Sequence, residues 1–278
     1  MRLSGYVPFY NNAPTVLAAV ESLRAQQPPL DEVFAVDDGS TDDGATLLKA
    51  AGVRVLHQPS NLGRGAARAR AMIEAESELV ICCDATNVLP PDFSDRSRKW
   101  FERAAVAAVF GRLSQRPGGN ATLRWRGRHL FKMPRPDSPL PPPEHGACLS
   151  TYGAMVRRSS VLAAGNYDPS LRHTEDAELG NRLLAAGWDV VRDHGLKAFS
   201  IAQNPLSQVL ERYWRWNAGT SESISWRGYI SLVAYSARTM VPRDLRDRDL
   251  LGAFISLYCP HYQFWRSRWR RTRRTTQR

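Results

Sequence analysis

The chain of 278 residues has no apolar run near the ~18 residues needed to cross a bilayer. Its opening, MRLSGYVPFYNN, lacks the long apolar core of a secretory leader, which predicts a cytoplasmic protein. Cysteine is scarce: four residues, with no C-x-x-C, suggest neither a disulfide framework nor a zinc site. Cys82 and Cys83 are neighbours in an apolar strand pattern, where successive side chains face opposite ways, and buried, inert thiols are expected throughout. No internal repeat is present. Acid is missing from the last stretch, WRSRWRRTRRTTQR, which holds seven arginines. From Asn204 onward there are 14 Lys+Arg against 5 Asp+Glu, so +9 of the net +11 lies in the last quarter. Such an end suits phosphates on lipid head groups, a phosphorylated acceptor or nucleic acid; a solvated tail is the plain alternative.

What is present is ordinary globular composition, 43% hydrophobic and 23% charged, in a chain long enough for one large α/β domain with an appended piece. The first hundred residues alternate between strand and helix patterns. Strands are predicted at Tyr6 to Phe9, Val33 to Val36, Val53 to His57 and Leu79 to Cys83. Helices are predicted from Pro14, over Thr41 to Ala51, over Leu62 to Glu74 and around Phe93 to Arg103. The strands are apolar without alternation, which implies a doubly wound, mostly parallel sheet covered on both faces. Ligands of such sheets bind beyond the carboxyl ends of the strands. Residues 115–145 carry seven prolines and little periodicity, and are expected to be a long surface loop or insertion. Ala177 to Ala186 is a helix ending at Gly187, and Trp188 to Val191 a strand. This divides the chain into an α/β domain over 1–203 and a helical, aromatic and basic region over 204–278.

The stretch EVFAVDDGSTDD brings a β-like segment to a stop against Asp37 and Asp38. Acidic turn residues often cap the next helix, but Asp42 or Ser40 can do that, so two more carboxylates at the strand end point to a ligand with hydrogen-bond donors. Three further segments accompany it: VPFYNN (Val7 to Asn12), NLGRGAARAR (Asn61 to Arg70) and CCDATNVLPPDF (Cys82 to Phe93). Later comes HTEDAELGNRLLAAGW. In this order and at these spacings the chain resembles the family 2 nucleotide-sugar glycosyltransferases of GT-A fold. Their motifs are roughly P-x-Y-N, V-D-D-G-S-x-D, N-x-G-x-x-x-A-R, D-x-D and an E-D that opens a helix ending in G-W. The resemblance runs over about residues 3 to 220.

It implies an inverting transfer from a nucleotide-diphospho sugar to a hydroxyl acceptor, a glycan or a lipid-linked glycan precursor. By resemblance Asp37 or Asp38 reads the base, and Pro8 and Tyr10 line its pocket. Arg68 lies near base and phosphates, where its planar fork suits oxygen pairs. Asp84 contacts ribose or metal. The resemblance also implies Mg2+ or Mn2+, yet Asp84-Ala85-Thr86-Asn87 stands where the family has D-A-D-D. Ser200 stands where it has a histidine. Hard cations prefer carboxylate oxygens, so weak metal dependence is expected, with Arg64, Arg68, Arg212 or Arg215 supplying charge to the leaving diphosphate. Asp176 is the implied catalytic base and Glu175 its positioning neighbour; both would also favour a helix N-terminus through its dipole. In RYWRWNAG, Arg215 and Trp216 match the family's R-W element on the acceptor and diphosphate side, or are packing residues.

The basic, aromatic C-terminal region is expected to lie peripherally on an anionic membrane surface, at the inner face. Two rivals come from other classes. A non-catalytic relative would bind nucleotide or glycan without turnover, consistent with Thr86 and Ser200. A nucleic-acid-binding protein would use the arginine tail with steep salt dependence; no nucleic acid is expected as partner.

Overall fold

The computed structural model describes residues 2–115, 119–134, 139–217 and 224–275, with side chains left out at 115, 215–217 and 269–275. In chain order the elements are β1 Leu3–Phe9, α1 Ala13–Arg24, β2 Glu32–Asp37, α2 Gly44–Ala50, β3 Arg54–His57, α3 Arg64–Glu74, β4 Leu79–Cys83, β5 Asn87–Val88, α4 Phe93–Arg98 and β6 Val106–Gln115. There follow α5 Ala121–Trp125, β7 Gly153–Arg157, α6 Arg158–Ala163, α7 Glu175–Ala185, β8 Asp189–Ser200, α8 Leu206–Asn217, α9 Trp226–Tyr235, α10 Val241–Arg246 and α11 Leu250–Thr275. Two compact units result: Met1–Ser114 with Asp137–Ala202, and Gln115–Pro136 with Gln203–Arg278.

The first unit is built on one sheet in the order β3-β2-β1-β4-β7-β6-β8-β5. β1, β2, β3 and β4 are parallel neighbours, while β7 runs antiparallel to β4 and β6, and β5 to β8. The apolar strands bury both faces, as an alternating pattern would not. One face packs Val16, Val20 and Leu23 of α1 with Leu48 and Phe93; the other packs Ala67, Ala71 and Met72 of α3 with Val161, Leu179 and Leu183. Cys83 belongs to the first face and Cys82 to the second, as strand alternation requires. Cys148 departs from the expectation of buried thiols: it is exposed, in a segment between strands.

β8 is longer than the expected strand. It reaches Ser200 because its second half pairs with β5, a partner too short to be read from the sequence. The second unit corrects part of the reading of residues 115–145 as surface loop: 121–130 are helical, whereas 139–145 are exposed with almost no regular structure, as expected. Trp125 of α5 is fully buried in a cluster with Leu130, Val209, Leu210, Tyr213, Met240 and Ile255, and its indole N–H donates to Ser256 Oγ at 2.8 Å. A two-turn segment flanked by prolines shows no helical period, so its anchor is visible only once α8 and α11 surround it.

Candidate functional site

The carboxyl ends of β1, β2, β3 and β4 form one edge of the sheet, with Phe9, Asp37 and His57 in register across three strands. The loops beyond them are tied together. Asn11 adopts a left-handed backbone (φ 52) and its side chain accepts from the Thr41 N–H at 2.8 Å, while Asp42 accepts from the first helical N–H of α1, Ala13, at 2.8 Å. The other Asp42 oxygen accepts from the Gly44 N–H, the first of α2, at 3.1 Å, which is the capping bond to the next helix that the sequence allowed. Pro8 is half-buried and Tyr10 is exposed at this edge.

Asp37 and Asp38 are both buried. Asp38 accepts from Gln58 Nε2 at 3.0 Å and from the N–H groups of Leu62 and Gly63 at 2.9 Å each. Burial pushes its carboxyl above the usual range, and the two amides and the charge of Arg172 offset this only in part. Asp38 thus fastens the glycine-rich entry of α3. Gly63 there has φ 104, and a side chain on Gly65 would collide with the Asp168 carbonyl, so both glycines are required by close packing. Asp37 accepts from the Ser40 N–H at 2.9 Å, and its second oxygen lies 3.0 Å from His57 Nδ1. Asp37 has fewer protein donors on it than Asp38. His57 was not singled out in the sequence; its signal is its place as the last residue of β3, opposite Asp37.

Arg64 is exposed in the first turn of α3, and no carboxylate pairs with it among the described residues. Arg68, one turn further, differs from its expected role. It is 1% exposed and its nitrogens are taken up inside the protein: Nε donates to Glu175 Oε1 at 2.9 Å, one terminal nitrogen to Asp84 Oδ1 at 2.8 Å, the other to Cys82 Sγ. Arg68 therefore braces the end of β4 against the start of α7 and does not present its fork to donor oxygens. Burial pushes the Cys82 thiol up to about 11, which keeps it a neutral acceptor beside that guanidinium.

Glu175 is 2% exposed and opens α7 after Thr174, which has a left-handed backbone. Asp176 is half-buried; its Oδ2 accepts from both the N–H and the hydroxyl of Thr151 at 3.2 Å, and its Oδ1 from the Ala177 N–H at 2.9 Å. The next residue, Tyr152, receives a bond on its carbonyl from Asn87 Nδ2 at 2.9 Å. Asp84, Glu175 and Asp176 are thus joined within one unit by Arg68 on one side and by Thr151-Tyr152 on the other. Thr151 and Tyr152, just before β7, gave no sequence signal beyond standing at a strand start.

Thr86 and Ser200 are close neighbours by strand pairing: Asn87 pairs with Ser200, and the Ile201 N–H donates to the Thr86 carbonyl. Among the described residues no three His, Cys, Asp or Glu side chains converge as a protein-built metal cage would need. Asp84 keeps one carboxylate oxygen beyond its bond to Arg68. One carboxylate with hydroxyl neighbours fits a Mg2+ or Mn2+ that arrives on a diphosphate, since such ions take few protein ligands and several from phosphate and water.

In the second unit, Arg212 is half-buried on α8. Its charge and, above all, burial hold Arg126 down to about 10. The side chains of Arg215 and Trp216 lie outside the described residues.

The family model described as Glycosyl transferase family 2 matches residues 4–163. Among curated proteins, the succinoglycan biosynthesis protein ExoA of Rhizobium meliloti (strain 1021) is 26% identical over 234 residues, covering 76% of this chain and 65% of its own. ExoU of the same organism, also a succinoglycan biosynthesis protein, is 31% identical over 285 residues, covering 89% and 76%. The chain thus spans less than two thirds of the length of ExoA. Among solved structures, the mannosyltransferase PcManGT from Pyrobaculum calidifontis, in complex with GDP-Man and Mn2+, superposes with a TM-score of 0.58 at 16% identity, over 94% of this chain and 73% of that one. At that identity the likeness is one of fold.

Proposed function

The chain belongs to glycosyl transferase family 2, and on that premise we propose that it moves a sugar from a nucleoside-diphosphate donor to a hydroxyl acceptor in one displacement with inversion. The observation that supports this most is the buried Arg68 bridge between Asp84 and Glu175. It ties the strand end expected to meet the donor to the helix that carries Asp176. Asp37, with Pro8 and Tyr10, reads the base; Asp38 holds the loop that closes beneath it. Asp84 meets the ribose and diphosphate, and Arg64 on the α3 entry adds positive charge. With Thr86, Asp84 would hold Mg2+ or Mn2+, which when bound supplies charge to the leaving diphosphate. Asp176 removes the acceptor proton as the new bond forms. Thr151 fixes the carboxylate, and Glu175 acts through Arg68 as a positioning residue. On α8, Arg212, Arg215 and Trp216 keep the acceptor and diphosphate role that the family motif implies.

A glycan acceptor is supported by the relatives named for succinoglycan biosynthesis, and a membrane-associated one by the exposed apolar residues of α11, among them Leu251, Phe254 and Trp265. The test is a panel of UDP- and GDP-sugars with Mg2+, Mn2+ or chelator, read as melting temperature and as release of nucleoside diphosphate. One donor should stabilise the protein and be turned over, which excludes the non-catalytic reading. Asp176→Asn should keep nucleotide affinity and lose transfer by about 100-fold or more. Unchanged turnover in that variant removes Asp176 as the base.

A further inference from the structure

Two arginines of the first unit, Arg112 and Arg192, have no part in the donor site, and each keeps a buried Nε without a hydrogen-bond partner. Phe110 of β6 packs on the face covered by α7 and Leu113 on the other, so Arg112 shares the face of Phe110. On β8, Val190 packs on that face and Val191 on the opposite one, so Arg192 points to the same side as Arg112. The Arg112 Nε is buried with no hydrogen-bond partner, and no carboxylate pairs with the side chain among the described residues. Burial lowers its affinity for its proton with nothing to oppose it. The Arg192 Nε is also buried without a partner, and its one carboxylate neighbour, Glu144, is 3.8 Å away, beyond hydrogen-bond reach. Two guanidinium groups with unsatisfied buried donors on neighbouring strands are expensive unless an anion completes them.

Their place narrows what the anion belongs to. The pairs Ala108↔Val156 and Phe110↔Ala154, continued two residues, set Arg112 opposite Tyr152, and the Tyr152 hydroxyl donates to the Gly111 carbonyl at 2.8 Å. The pair Cys83↔Gly153, continued by one, sets Asp84 on the other side of Tyr152. Burial raises the Tyr152 phenol to about 12; it also feels the charges of Arg192 and Asp176. His194, two residues beyond Arg192, is shifted downward by burial and then by Arg192, with Arg112 adding to it. Glu144 and Asp193 are the acids that act on it in the opposite sense. Both arginines therefore stand on the Asp176 side of the sheet. Arg192 is three strand spacings from the Asp84 strand, roughly 14 Å.

We propose that Arg112 and Arg192, with His194 beside them, form an anion subsite next to Asp176 that takes a phosphate or carboxylate group carried by the acceptor. This rests on the glycosyl-transfer reading, in which Asp176 faces the acceptor. The fork of each arginine matches either oxyanion in two-point contact. An acceptor bearing a phosphate ester or a uronic acid would be held with its free hydroxyl turned to Asp176.

The full chain, saturated with whichever of UDP or GDP binds it, is titrated by calorimetry with inorganic phosphate, inorganic pyrophosphate and glucuronate at constant ionic strength. One saturable site for phosphate or glucuronate should remain open in the nucleotide-saturated protein. Arg112→Gln/Arg192→Gln should weaken it at least tenfold and leave nucleoside diphosphate affinity within twofold. Arg192→Gln alone, at a side chain 41% exposed, supplies the test if the double variant does not fold, with a loss of threefold or more expected. Equal anion binding in these variants overturns the proposal. So does competition between the anions and the nucleotide, which would give the arginines to the donor diphosphate. Absence of any nucleoside diphosphate binding overturns the transfer reading instead, and separates the two failures.

Discussion

Arg68 illustrates how much one side chain's role depends on its depth. The motif N-x-G-x-x-x-A-R identified it by position, and the resemblance implied contact with donor oxygens. Its burial at 1% and its three protein acceptors make it an internal brace. A buried charge pair broken on one side leaves the other charge uncompensated, at a cost of about 3–5 kcal/mol. Arg68→Met should therefore lower unfolding stability by about that amount, measured by urea denaturation, because Glu175 is left with no counter-charge. Arg68→Met combined with Glu175→Gln should recover part of the loss, since the stranded charge is gone. Equal destabilisation in the single and double variants would show that packing and not the charge pair holds the β4–α7 junction. The position of carboxylates at the strand ends was legible. How fully the protein itself occupies Asp38 was not, because its donors come from Gln58, Leu62 and Gly63, some 20 residues on.

Among elements, the strands and helices with strong periodicity were legible, and the short ones were not. β1 to β4 and α1 to α3 lie where apolar runs predicted, displaced by a few residues at most of their ends. α5 was hidden because its stability comes from partners far along the chain. Arg124 Nε and Nη2 donate to the two oxygens of Asp249 at 2.9 and 2.8 Å, and Arg128 pairs with both Asp244 and Asp249. The hydrogen bonds from Arg124, opposed by burial and aided by Arg128, hold the Asp249 carboxyl far below the usual range. Burial pushes Asp244 upward, but His129 and Ser256 bring it below its usual range as well. Folded-state values lower than the unfolded ones mean stability that is present above about pH 4 and lost as pH falls through the folded values. Asp249→Asn should thus lower the melting temperature at pH 7, and the gap to the parent should narrow on acidification to pH 3. A gap that stays constant with pH would assign the effect to shape and not to charge.

At the scale of the whole molecule, the charge is distributed as the sequence indicated, with +9 of +11 from Asn204 on. The structure adds an apolar component. Along α11, Leu250, Leu251, Phe254, Leu257, Tyr258 and Trp265 are all exposed, at spacings that form one helical stripe. Trp226 and Ile230 of α9 are exposed as well. No described helix is long and apolar enough to cross a membrane. A contiguous apolar stripe beside arginines fits the surface of an anionic bilayer. Co-sedimentation with vesicles containing phosphatidylserine should show binding that weakens with added salt and is absent with neutral vesicles. Leu251→Asp/Phe254→Asp should weaken it at least tenfold without a change in melting temperature, because both side chains are solvent-facing. Binding that survives this substitution would leave the arginines alone responsible.

The sequence by itself determined the family, the doubly wound first unit and the set of strand ends that carry carboxylates. These follow from local pattern: apolar runs fix strands, glycines fix tight turns, and each strand end falls where its run stops. The tertiary structure decided which polar side chains are spent inside the protein and which keep polar atoms without a protein partner. Arg68 meets Glu175 across 107 residues, Arg124 meets Asp249 across 125, and Arg112 and Arg192 come to share one sheet face. Burial and pairing depend on which distant segments are brought together, and local sequence pattern carries no record of that.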